Sequence, residues 1–182
     1  MLLAPALGMR IWAEEHRTGT IELLGTFPTT MWSAILGKFA AAATVWIIAL
    51  ALTCPIVIAV NTLGDPDNWT ILSGYIGSFF ICCTFLAITC LVSAFTRDQV
   101  ICLIVSVTIC MILVVIGYEQ VAMKIRQTFS ISVSEAILSI TAFEHFKPAI
   151  QGTIRIENLV YFFSIIIACL LCTSTILNSK RS

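Results

Sequence analysis

The chain has 182 residues, of which 59% are hydrophobic and only 11% charged, and its formal net charge is +0. About a quarter of the residues of an ordinary soluble domain are charged, so a water-soluble fold is excluded. The neutral balance leaves no electrostatic footprint for nucleic acid.

The first nine residues, Met1–Met9, are uncharged and apolar but too short to cross a bilayer. They lack the basic start, full apolar stretch and cleavage site of a signal peptide. They read as the end of a membrane helix whose beginning lies upstream. Charges follow from Arg10 to Arg17, and then a short helix-compatible stretch, Thr20–Phe27, with Ile21, Leu23, Leu24 and Phe27 apolar. Pro28 ends it, because the residue before proline is pushed out of helical geometry. Thr29 or Thr30 can cap the next helix with its hydroxyl. That helix is expected to run unbroken over Met31–Val60, starting along the interface at Trp32 and entering the bilayer at Lys38.

Four intervals (Lys38 to Asp65, Asp67 to Arg97, Asp98 to Glu119 and Glu157 to Lys180) each contain 20 or more uncharged residues. A helix needs roughly 20 apolar residues to cross about 30 Å of hydrocarbon. Spans are therefore expected at Phe39–Val60 (39–60), Thr70–Phe95 (70–95), Val100–Tyr118 (100–118) and Leu159–Leu177 (159–177). The runs are apolar on every face rather than alternating, so a β-barrel is excluded. The fold class is all-α: one polytopic helical membrane domain over 1–182, with a stub at 1–9 and a charged region at 10–37.

Within the second span, Gly74-x-x-x-Ser78 has the small-xxx-small spacing that lets helices approach closely. Segment 119–158 lies between the last two spans. Ser132 and Glu135 have capping-box spacing, a short helix is expected near Ser134–Ala142, and Phe143, Phe146 and Pro148 break its pattern. The side holding both termini carries Arg10, Arg17, Lys38, Arg97, Lys180 and Arg181, against Lys124, Arg126, Lys147 and Arg155 opposite. The positive-inside rule thus favours cytoplasmic termini.

Residues with possible chemistry are scattered. All eight cysteines (Cys54, Cys82, Cys83, Cys90, Cys102, Cys110, Cys169, Cys172) fall in expected spans, where they act as small apolar residues. Cys169-x-x-Cys172 has metal or redox spacing but no His or carboxylate company. His16 and His145 have no ligand-spaced partners. Asn68-Trp69-Thr70 matches a glycosylation acceptor by chance against the membrane, and Asp65 and Asp67 read as a solvated turn. No phosphate-binding glycine loop is present, so this chain binds no ATP and no cofactor of its own. Spans free of charge argue against an ion or proton relay and suit an apolar or amphipathic substrate.

One stretch is more specific. Ala13-Glu14-Glu15-His16-Arg17-Thr18-Gly19-Thr20-Ile21-Glu22-Leu23-Leu24, then Pro28 and Gly37-Lys38-Phe39, resembles the ABC-2 type permeases. Within them it is most similar to the branch that includes gliding-motility-associated permeases. Leu63–Asp67, Ser73–Gly77, Leu91–Val100 around Ser93 and Gln99, and His145-Phe146 through Gly152 to Tyr161 extend the likeness over nearly the whole chain. The resemblance implies that Glu14, Glu15, Arg17, Gly19, Thr20, Ile21, Glu22, Leu23, Leu24 and Phe27 form a coupling element. It would dock on a separate ATP-binding cassette subunit, which holds ATP and Mg. It also implies a second permease chain, identical or related, in a bacterial plasma membrane. Family members begin with a further span and most of another, so six spans would become four plus a stub. The competing reading is a non-transporting scaffold or assembly subunit, or an inactive truncated permease.

Overall fold

The computed structural model describes residues 2–19, 31–96, 98–128, 134–135, 139 and 141–179. The expected Thr20–Phe27 helix, the threonine cap at Thr29 or Thr30, Arg97 and the capping serine Ser132 lie outside them. The described residues form an all-α bundle. In chain order its helices are α1 (Leu3–Gly8), α2 (Arg10–Thr18), α3 (Met31–Ala51), α4 (Cys54–Leu63), α5 (Asn68–Phe95), α6 (Gln99–Ile116), α7 (Glu119–Thr128), α8 (Ala142–Ile150) and α9 (Ile156–Ser179).

Four stretches are long and apolar enough to cross a membrane: Met31–Leu63, Asn68–Phe95, Gln99–Ile116 and Ile156–Asn178. They coincide with the four spans expected from charge spacing. They are not equivalent. In α5, 72% of the most apolar window is buried inside the protein, against 0%, 17% and 28% in the other three. So α5 is the axis, and α1, α2, α3, α6, α8 and α9 all pack on it. Uniform apolarity is what permits this, since α5 has no polar face that must reach water. The other spans turn residues such as Ile48, Ile104 and Ile167 outward, as a lipid-facing surface requires.

The first span departs from the unbroken helix expected over Met31–Val60. It breaks after Ala51 and resumes at Cys54. Pro55 is the cause, because it has no N–H to offer the Ala51 carbonyl and its ring crowds that turn. The Thr53 amide shortens its reach to Leu50 O at 3.0 Å. Its hydroxyl also lies 2.6 Å from that carbonyl and 2.7 Å from the Tyr75 hydroxyl on α5. The break is thus anchored to the axis.

At the start of α5, Asp67 caps the helix. Its carboxylate accepts from the Trp69 amide at 3.1 Å and the Thr70 hydroxyl at 2.7 Å. These bonds, Thr70's first, hold its pKa below the ordinary carboxylate value. The turn is therefore built rather than merely solvated. Asn68, the would-be glycosylation acceptor, accepts from the Asn61 amide at 3.0 Å.

Helix lengths decide what fills the Asp67 end. At about 1.5 Å per residue, α5 spans roughly 42 Å and α6 only about 27 Å, so α6 stops well short of the Asp67 end. The space beyond it is taken by α8. Ala142 joins the apolar cluster around Ile81, Phe85 and Cys110, while Ala149 lies against Ser73 and Gly77. A Cβ on Gly77 would come within 2.6 Å of the Ala149 Cβ. The close approach on this span is therefore made by Gly77. Gly74, the glycine singled out by its spacing to Ser78, has open space where a Cβ would stand. Ser73 donates to the Ala149 carbonyl at 2.7 Å and the Trp69 indole to the Gly152 carbonyl at 2.9 Å.

Helix α8 also corrects the expectation that Phe143, Phe146 and Pro148 break the pattern, because it runs through all three. Two phenylalanines packed over α5 and Gly117 supply tertiary burial that outweighs local propensity. Pro148 falls in the last turns, where little of the hydrogen-bond ladder remains to be lost. The cysteines divide: Cys82, Cys83, Cys90, Cys102 and Cys110 are buried, Cys169 is half-buried, and Cys54 and Cys172 face outward.

Candidate functional site

The charged stretch that carries the family likeness is not a loose tether. Helix α2 follows α1 almost without interruption, with Met9 still in helical geometry between them. Its apolar positions, Trp12 and Ala13, are fully buried, and Arg10, Glu14, Arg17 and Thr18 are exposed. A helix with such a division packs one face and presents the other.

Three side chains hold the packed face. Ser93, fully buried on α5, accepts hydrogen bonds from the Trp12 amide at 3.0 Å and the Ala13 amide at 2.9 Å. Its hydroxyl also lies 3.3 Å from the Met9 carbonyl, as donor. Amides of a helix's first turn have no intrahelical acceptor, and here one serine oxygen serves two of them. Cys90, one turn further along α5, accepts from the Trp12 indole at 3.2 Å. The third is Lys38 of α3. Its ammonium donates to the Ile11 carbonyl at 2.9 Å, lies 4.0 Å from the centre of the Trp12 ring, and pairs with Glu15. A cation over an indole adds about 0.5–2 kcal/mol, depending on desolvation. The Lys38 and Glu15 side chains are 28% and 25% exposed, so the pair is shielded from bulk screening far better than a surface bridge.

Helix α2 ends at Gly19, in the left-handed region with φ 71°. A Cβ there costs about 1–2 kcal/mol, and glycine does not carry that penalty.

The resemblance-based residues therefore separate. Glu14, Arg17 and Gly19 are exposed, whereas Glu15 turns inward to Lys38. Thr20, Ile21, Glu22, Leu23, Leu24 and Phe27 lie outside the described residues. Sequence reasoning missed the roles of Trp12, Ser93 and Cys90, and took Lys38 as a membrane-entry marker, an orienting charge and part of the family-like pattern, not as a partner of α2. A signal was present for two of them. Ser93 sits in one family-like stretch, and Lys38 is the last charge before a long apolar run.

Among the described residues no group of three or more His, Cys, Asp or Glu side chains could hold a metal ion. Residues 1–179 match the family described as ABC-2 family transporter protein, and the chain belongs to that family. It is thus a membrane permease of ABC-2 type, a kind of chain without an ATPase site of its own. No curated protein matches the chain, and neither does any solved structure.

Proposed function

We propose that this chain is the permease half of an ATP-driven exporter, and that α2 with the following residues to Phe27 is its docking element for a separate ATP-binding subunit. The observation that carries this reading is the fastening of α2. Ser93 and Cys90 tie it to the axial helix α5, and Lys38 ties it to the first span. A push on the exposed face of α2 is therefore delivered to two spans at once. A helix lying passively on lipid would need neither bond.

In this reading Glu14 and Arg17 form the charged rim that sets register with the partner, and Ile21, Leu23, Leu24 and Phe27 enter its groove. ATP and Mg belong to that partner. A second permease chain, identical or related, completes the path. The charge-free spans suit an apolar or amphipathic substrate. The distribution of basic residues supports cytoplasmic termini in a bacterial plasma membrane, and the likeness at Ala13–Leu24 supports the gliding-motility-associated branch.

The test is co-expression with an ATP-binding cassette protein encoded beside this chain. Gly19→Val and the pair Glu14→Ala with Arg17→Ala abolish co-purification. Lys38→Met retains the complex but uncouples ATP hydrolysis from movement of α3, read as a spin-label distance between α3 and α5. Co-purification undiminished in both docking variants sinks the assignment.

A further inference from the structure

The link made by Cys90 does not end on α5. Trp12 is fully buried, and its indole N–H must find an acceptor inside the protein. That acceptor is the Cys90 sulfur, at 3.2 Å. Cys90 is fully buried as well, and its thiol has a hydrogen of its own to place. Its side chain is hydrogen-bonded in turn to that of Thr173 on α9, a third fully buried residue. The Thr173 hydroxyl donates to the Cys169 carbonyl at 2.8 Å, so its oxygen is left to accept. The count of hydrogens then sets every direction: indole N–H to sulfur, S–H to hydroxyl oxygen, O–H to carbonyl. Three helices distant in sequence share one chain of hydrogen bonds.

Around this chain the packing of α9 is apolar. Leu170 and Leu177 join one cluster with Trp12, Cys90 and Ala94, and Ile35 of α3 completes it. Lipid tails are as apolar as leucine, so such contacts set the rotation of one span on another only weakly. Directed hydrogen bonds in a dry interior set it firmly.

We propose that Trp12, Cys90 and Thr173 form a relay through which α2 positions α9, so that displacing α2 turns a third span along with α3 and α5. All three are positioning residues, since none lies on the exposed face of α2 that would meet a partner. The use made of the relay rests on the docking of α2. The relay itself lies within the chain and is tested without a partner.

A double-substitution cycle on the full chain in nanodiscs decides it, read by hydrogen–deuterium exchange of the peptide Ile11–Glu15. Cys90→Ala accelerates exchange there about tenfold, as a buried N–H loses its acceptor. Thr173→Val, an isosteric change on α9, accelerates it about threefold, because the thiol loses its own acceptor. The double variant stays at about tenfold, not the roughly 30-fold of independent effects, since Thr173 acts on α2 only through the sulfur. Cys90→Ser accepts and donates in the same directions and stays within about twofold of the parent. Exchange in α2 unmoved by Thr173→Val, or effects that multiply in the double variant, overturns the proposal.

A second arm uses the complex with the ATP-binding cassette protein. Spin labels on non-canonical residues at Ile104 of α6 and Leu171 of α9, both outward-facing, report the movement of α9 when ATP is added. Thr173→Val abolishes that movement and leaves the change between α3 and α5 intact. A movement of parental size in Thr173→Val overturns the proposal. Failure of the parent complex to form removes the docking reading, and the exchange cycle still decides the relay.

Discussion

Replacing Ser93 with alanine removes a single oxygen, yet that oxygen serves two buried amides, those of Trp12 at 3.0 Å and Ala13 at 2.9 Å. Each buried donor left without an acceptor costs about 1–3 kcal/mol. The two together set an upper range of roughly 2–6 kcal/mol. Relaxation lowers this, because slight straightening at Met9 lets the amides lean towards the carbonyls one turn back. A net loss of about 2 kcal/mol remains, equal to roughly 30-fold in a local equilibrium. The loss falls on opening of α2 rather than on the bundle, since the spans keep their apolar contacts. Hydrogen–deuterium exchange of a peptide covering Ile11–Glu15, followed by mass spectrometry on the detergent-solubilised chain, reads it directly. Exchange there accelerates about 30-fold, while peptides from α5 and α9 are unchanged. Acceleration below about threefold would refute the claim that Ser93 clamps α2, because the free energy involved would then be under ~0.7 kcal/mol.

Two glycines on one helix give a paired test. Gly77→Ala drives a Cβ into Ala149 at 2.6 Å and the Phe146 ring at 3.2 Å, whereas Gly74→Ala meets nothing within 4 Å. The first is expected to lower thermal stability in detergent by about 1–3 kcal/mol of overpacking and to expose α8 to protease. The second stays within about 0.5 kcal/mol of the parent; equal effects would mean that α8 does not seat at Gly77. The Asp67 cap carries a pH dependence of known sign. Its pKa is lowered in the folded chain, by the Thr70 hydroxyl first and then the Trp69 amide. Its contribution is therefore fully present above the unfolded value of about 3.9 and is lost as pH falls through the lower, folded value. The Trp69 amide resonance should titrate with a midpoint below about 3.9, and Asp67→Asn should abolish the titration.

Much of the architecture was legible because membrane insertion is a one-dimensional problem. The four apolar stretches follow from the intervals between charges. The break at Leu52–Thr53 was missed, although its cause is local: Pro55 has no N–H to offer the turn before it. Helix α8 was not legible. Its aromatic residues and proline argue against a helix until the short α6 leaves a space for Phe143 and Phe146 to fill.

The candidate site divides in the same way. The charged stretch from Glu14 to Leu24 identified itself by its residues, and its exposed positions Glu14, Arg17 and Gly19 need no partner within the chain to be noticed. The residues that fasten it could not be recognised alone. Ser93 and Cys90 are small residues in an apolar helix, common enough in membrane spans to mean nothing without a neighbour. Only when α1 and α2 lie along α5 does a buried hydroxyl meet two first-turn amides some 80 positions away in the chain. The sequence by itself determined the class and the number of spans, because these depend on local polarity. The tertiary structure decided which helix is the axis, which glycine is a contact and which face of α2 is fastened. Those depend on which surfaces meet, and in a chain apolar on every side the pattern of polarity does not distinguish one surface from another.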